Sequence, residues 1–156
     1  MLNEPHKPLQ AASQEERGPY EPPAVASSAD SGSTWTQQAN AGTASWCSLD
    51  MSADGSVIVA APSYAAIKIS KDGGLTWTDC SASGSRGWQS VSCSSDGTKI
   101  AAAVWSGYIY TSTDSGTTWT SRANDTSRMW ESVAMTASGT RVYGVARGLL
   151  DVFCGR

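Results

Sequence analysis

Residues 28 to 35 read Ser-Ala-Asp-Ser-Gly-Ser-Thr-Trp, and the pattern returns 42 residues later at 70 to 77 as Ser-Lys-Asp-Gly-Gly-Leu-Thr-Trp. It returns once more at 112 to 119 as Ser-Thr-Asp-Ser-Gly-Thr-Thr-Trp. A second motif keeps the same step. Trp46, Trp88 and Trp130 each open an alternating segment that runs into a turn, at Asp54-Gly55, Asp96-Gly97 and Ser138-Gly139. Two unrelated motifs locked to one period require a chain built of equal units, each burying its apolar face on the next.

Within one unit the turn residues separate four strand candidates. In the second unit these are Trp88 to Cys93 (strand A), Lys99 to Trp105 (B), Tyr108 to Ser112 (C) and Thr117 to Ser121 (D). Strand A alternates: Leu49, Val91 and Val133, with Met51, Cys93 and Met135 two residues on, predict one buried apolar row. The run Ala101-Ala102-Ala103 fits a strand pressed by neighbours on both faces. No amphipathic helical period is present. The expected fold is all-β: β-propeller blades, each a four-stranded antiparallel sheet repeated every 42 residues.

The pattern S-x-D-x-G-x-T-W resembles the Asp box, the bacterial neuraminidase repeat of sialidase-like propellers, sortilin-type receptors, some xyloglucan hydrolases and photosystem II assembly-factor propellers. The form Lys-Asp-Gly-Gly-Leu-Thr-Trp at 71 to 77 is most similar to the assembly-factor repeats, which are protein-binding scaffolds. The resemblance implies a structural box at Asp30, Gly32 and Trp35, at Asp72, Gly74 and Trp77, and at Asp114, Gly116 and Trp119. Its chemistry is local. The carboxylate accepts turn N–H groups, the glycine takes positive φ and the indole packs beneath. The turns at Asp54 and Asp96 call for the same structural reading.

In a blade the A–B and C–D turns share one end, so a ligand is expected at the other. There the D–A connections carry Arg86 and Arg128, with Ala44 at the equivalent place, and the B–C connections offer Tyr64, Trp105 and Arg147. Guanidinium groups beside aromatic rings suit a carboxylate, a sugar or an acidic protein patch. The expectation is a non-enzymatic binding or scaffold module with a protein or carbohydrate ligand. The alternative is a sialidase-like glycoside hydrolase, or a fragment of one. Arg86, Arg128 and Arg147 would be its arginine cluster, Glu131 its only glutamate outside the first 26 residues, and Asp50, Asp79, Asp125 and Asp151 its remaining carboxylates. The arginine-isoleucine-proline sequence that opens sialidase propellers is missing.

Composition narrows the chemistry further. The only histidine, His6, lies among five of the six prolines, a poor setting for a triad or an imidazole metal site, and no cofactor or metal is expected. A net charge of -3 and a pI near 5.0 argue against nucleic acid. No apolar run approaches the ~18 residues of a membrane span, and no secretory or transit leader is recognised. The chain is expected to be soluble, its compartment undetermined. Cys47, Cys80, Cys93 and Cys154 form no C-x-x-C pair and are expected as free thiols.

Residues 1–26 are expected to be a disordered Pro-rich tail. Residues 27–156 then divide into a half blade (27–43), two blades (44–85 and 86–127) and an incomplete blade (128–156). About three blades are too few for a ring of the usual four to eight. An open arc, self-association through exposed blade edges, or truncation of a larger ring are the alternatives. The departure of residues 149–156 from the repeat favours truncation.

Overall fold

A computed structural model describes residues 23–122 and 126–148, and the backbone of 152–155. The expected tail falls almost entirely outside the described residues. The strands are β1 (Ala26–Ser27), β2 (Thr36–Gln37), β3 (Trp46–Met51), β4 (Ile58–Ala65), β5 (Lys68–Ser70) and β6 (Thr78–Asp79). They continue with β7 (Arg86–Cys93), β8 (Ile100–Val104), β9 (Ile109–Ser112), β10 (Thr120–Arg122), β11 (Trp130–Met135), β12 (Val142–Ala146) and β13 (Val152–Gly155). Two 3-10 turns, Ala39–Ala41 and Ser81–Ser83, again lie 42 residues apart. Among the described residues no helix is long and apolar enough to cross a membrane.

β3 to β6 form an antiparallel meander, β7 to β10 repeat it, and β11 to β13 supply the first three strands of a third copy. β1 pairs with β2 in the positions of strands C and D. The result is an arc of propeller blades. Each strand A carries a bulge at the same place, at Cys47, Gln89 and Glu131, where the register shifts between Trp46 and Ser48, Trp88 and Ser90, and Trp130 and Ser132.

Successive units are joined through strand A. Val91 N donates to Ser48 Oγ and Val133 N to Ser90 Oγ, both at 3.1 Å. One pleat further, Cys93 N donates to Asp50 Oδ2 at 2.7 Å and Met135 N to Ser92 Oγ at 3.1 Å. Behind this seam the core runs through Val59, Ile67, Trp88, Ile100 and Ala102, all fully buried. Removing a side chain such as Ile100 from water is worth roughly 2–3 kcal/mol. Ala101 to Ala103 are sealed on both faces, as the small-residue run requires. Gly144 takes the same role in β12, because a Cβ there would meet Trp130 at 2.7 Å and Ile109 at 2.9 Å.

Three expectations change. The apolar row of strand A is buried at Val91, Cys93 and Val133, but Leu49 is 39% exposed and Met51 51%, since no A–B strand pair precedes β3 among the described residues. Strand D starts later than predicted, at Thr120 instead of Thr117. Its first residues are held by the preceding turn: Thr118 N and Oγ1 both donate to Asp114, so the ladder cannot begin until Trp119 is passed. Trp35 bonds its own turn at Gly32 O but stays 66% exposed. Cys47, Cys80 and Cys93 are free thiols. Burial pushes Cys80 up to about 11, and burial with the neighbouring Asp50 charge pushes Cys93 to about 12, so neither is a nucleophile near neutral pH.

Candidate binding site

The repeated turns account for each invariant residue of their pattern. In the second copy Ser70 Oγ donates to Asp72 Oδ1 at 2.8 Å and accepts Gly74 N at 2.8 Å. Thr76 donates its N–H to Oδ1 at 2.8 Å and its hydroxyl to Oδ2 at 2.5 Å, while Trp77 Nε1 donates to Gly74 O at 3.1 Å. The same bonds recur around Asp30 and Asp114. Gly32, Gly74 and Gly116 stand at φ of 90, 95 and 82°. The threonine hydroxyl, the threonine N–H and the serine hydroxyl hold each carboxyl down at about 2. Such an acid is ionised at all physiological pH and three hydrogen bonds occupy it, so it is suited to holding a turn and unsuited to proton transfer.

The A–B turns are built alike and stitched to this end. Asp54 and Asp96 lie near 2, held first by Ser52 and Ser94. Gly73 N bonds Ser56 O and Ser115 N bonds Thr98 O, both at 2.9 Å, tying each A–B turn to the C–D turn of its own unit. Ala53 N to Ser95 O and Ser95 N to Ala137 O tie it to the next unit. In the third unit Ser138, bonded to Thr140 at 2.8 Å, replaces the aspartate.

At the opposite end the backbone repeats and the side chains do not. Ser63 N bonds Ser45 O, Trp105 N bonds Gly87 O and Arg147 N bonds Met129 O, each at 2.8 Å. The next residue takes left-handed backbone in all three units: Tyr64 at φ 60°, Ser106 at 55° and Gly148 at 79°. For glycine this costs little, whereas for an aromatic residue it is strained by roughly 1–2 kcal/mol. Tyr64 is nevertheless 79% exposed, so packing does not hold it there. Its carbonyl accepts Ser85 Oγ at 2.5 Å, and its ring edge passes 3.7 Å from where a Gly87 Cβ would sit.

Beside it, Gly107 pairs with Arg128 across the unit boundary. Arg147 Cζ lies 5.2 Å from the Trp105 ring centroid, and its Nε is 2.8 Å from Glu131 Oε1. With side chains 66% and 34% exposed, the Arg147–Glu131 pair is an accessible bipolar patch and not a bare cation. Arg86 and Arg128 are half-buried. Arg86 stacks 4.5 Å over Tyr110 and donates to Ser83 O at 3.0 Å. Arg128 donates to Thr126 O at 3.0 Å and lies 5.8 Å from the Trp130 ring. The structure therefore brings Trp105 and Arg147 together, sets the Trp105 backbone and the Tyr64 ring against Gly87, and gives Arg86, Arg128 and Arg147 contacts with Tyr110, Trp130 and Trp105 in turn. A groove of about 480 Å³ between β6 and the turn at Ser115 to Thr117 lies away from these groups.

Among solved structures the chain resembles a chain of a nidogen/laminin complex, with a TM-score of 0.67 at 17% identity over 80% of this chain and 49% of that one. It also resembles YCF48 bound to a D1 peptide, with a TM-score of 0.58 at 19% identity over 87% and 44%. The Niastella koreensis GH74 enzyme gives 0.51 at 24% identity over 63% of this chain and 14% of that one. These likenesses establish the fold. The chain is an arc of β-propeller blades. It spans less than half the length of each of these relatives. No protein-family model matches the chain, and no curated protein matches it by sequence.

The roles of three residues escape the sequence. Glu131, a lone glutamate with no motif around it, neutralises Arg147 from a bulge. Tyr110 supports Arg86 from strand C, and its only signal is an aromatic residue on a strand. Asp50 joins units, and a signal for it did exist: it stands where Ser92 and Ala134 hold the period.

Proposed function

We propose that the chain is a non-enzymatic binding or scaffold module of Asp-box propeller blades, engaging a polypeptide at the end opposite the boxes. The observation that carries this is Tyr64, an aromatic side chain 79% exposed on left-handed backbone. Strain at an exposed aromatic residue marks display to a partner. Trp105 offers a second ring, and the Arg147–Glu131 pair offers both a donor and an acceptor to a peptide backbone. Two fold relatives support a polypeptide partner, one solved with a D1 peptide and one in a nidogen/laminin complex. A carbohydrate ligand uses the same rings less fully, because Glu131 engages the arginine that would meet a sugar carboxylate. Self-association through the exposed blade edges is a second part of the reading.

Arg86 is stacked on Tyr110, Arg128 is bonded to Thr126 O and Arg147 is paired with Glu131, and this engagement supports binding over sialidase-like hydrolysis, which needs guanidinium groups open to one carboxylate. The test is selection from a phage-displayed random peptide library on immobilised chain. Peptides that share a motif and lose binding to Tyr64→Ala and Trp105→Ala are the expected result. No enriched motif, or turnover of a fluorogenic sialoside abolished by Arg147→Ala, overturns it.

A further inference from the structure

Adjoining units also meet where strand D and the 3-10 turn of one lie against the C–D turn of the next. The chain builds this boundary twice, with different side chains. At the first, the Gln38 side chain lies 3.5 Å from where a Gly74 Cβ would sit, and Asn40 Nδ2 donates to Leu75 O at 2.9 Å. At the second, the places of Gln38, Asn40, Gly74 and Leu75 are taken by Cys80, Ala82, Gly116 and Thr117. Cys80 approaches Gly116 as Gln38 approaches Gly74. Ala82 carries no donor, so Thr117 O lacks the bond that Leu75 O receives. Two carboxamide side chains are exchanged for a thiol and a methyl group, and all four of the later residues line the groove of about 480 Å³. Its walls run from Ile69 to Thr117, so two adjoining units complete it.

Three properties of these walls select an occupant. Thr117 O is an acceptor suited to an amide N–H, the role that Asn40 serves at Leu75. Lys71 stands where the other units have Ala29 and Thr113, lines the groove and enters no ion pair among the described residues, so its ammonium favours a carboxylate. β6 is the edge strand of its sheet, and such an edge offers N–H and C=O groups to a peptide backbone.

We propose that this groove is a second docking site, which receives a glutamine or asparagine side chain of a partner polypeptide. The carboxamide of that side chain donates to Thr117 O, and an acidic neighbour in the partner meets Lys71. Within the chain the same chemistry joins the first boundary, where the carboxamides come from its own 3-10 turn. The groove volume falls in the range of about 300–1,000 Å³ that holds small ligands, enough for one side chain and its flanking backbone. This site goes beyond the functional reading at Tyr64 and does not depend on it.

Heteronuclear NMR of the full chain, titrated with acetyl-L-glutamine as a probe that carries both a carboxamide and a carboxylate, tests the chemistry. Saturable shifts of the Thr78, Ser81, Gly116 and Thr117 amides at millimolar concentration are expected; their absence overturns the proposal. Acetyl-L-norleucine, similar in length and without the carboxamide, binds about fivefold more weakly, and equal binding overturns the role of Thr117 O. Ala82→Asn gives this boundary the donor that Asn40 supplies at the first and abolishes the shifts; shifts that persist in that variant overturn the placement. Lys71→Met weakens the probe about threefold, and an unchanged affinity overturns the carboxylate contact. Capped peptides with one glutamine and one glutamate, adjacent or up to three residues apart, separate the sources of the ligand. The best of them binds about tenfold more tightly than acetyl-L-glutamine; if none outbinds the probe, the groove belongs to a small molecule and the polypeptide occupant is overturned. Tyr64→Ala leaves these shifts in place, and Ala82→Asn leaves a peptide selected at Tyr64 bound, so the two readings fail separately.

Discussion

The two ends of the blades solve the same problem with opposite economy of sequence. At the turn end the chain repeats atom by atom: three serines, three aspartates, three threonines and three tryptophans make the same bonds within about 0.3 Å of one another. At the loop end only backbone repeats, with equal hydrogen bonds and equal left-handed residues, while the side chains run Tyr64, Ser106, Gly148 and Ser63, Trp105, Arg147. Where the side chains make the turn they cannot vary. Where the backbone makes it unaided, they are free to face a partner.

Acid is the largest lever on this contrast, because it acts on five turns together. Asp30, Asp54, Asp72, Asp96 and Asp114 are lowered from 3.8 to about 2, so each contributes stability that is complete above 3.8 and lost as pH falls toward 2. Tryptophan fluorescence against pH should hold to below 4 and then fall through that window; an unfolding midpoint near pH 6 would refute the carboxylate account.

Next in size is Gly116→Ala, where φ is 82° and the new Cβ would lie 2.6 Å from Cys80 Sγ. A loss of about 3 kcal/mol in urea unfolding is expected. Gly32→Ala meets nothing closer than Trp35 at 3.9 Å and should cost only roughly 1–2 kcal/mol. Equal costs would mean that the neighbouring unit adds nothing to the motif.

At the loop end the sign reverses. Tyr64→Gly relieves left-handed strain and should raise stability by about 1 kcal/mol, while weakening a selected peptide about tenfold or more. Ser106→Gly should stabilise by a similar or smaller amount and leave the peptide bound. Smallest is Arg147→Ala, which breaks an exposed ion pair and a cation–π contact and should move urea stability by less than about 1 kcal/mol.

Much of this contrast is legible in the order of the residues. The period, the strand order, the shared end of the turns and the sealing of Ala101 to Ala103 follow from residue spacing, because each is a local hydrogen-bonding or volume requirement repeated every 42 residues. Spacing misplaces the start of strand D, because a period counts residues and does not say that Thr118 is still bonded to Asp114. At the loop end, spacing names Tyr64, Trp105 and Arg147 but not their standing. Tyr64 is displayed by an αL backbone that no local signal marks. Arg147 is tempered by Glu131 across a bulge, and Arg86 is stacked on Tyr110.

Sequence alone determined the unit: its length, its strands and the carboxylate that ties its turn, since those interactions close within about seven residues. Only the tertiary structure decided what the units do to each other. It assigned Asp50 to the N–H of Cys93, buried Val91 while leaving Leu49 exposed, and set Arg147 over the Trp105 ring. A seam between units joins residues 43 positions apart, and whether an identical side chain is core or surface depends on which neighbour is present.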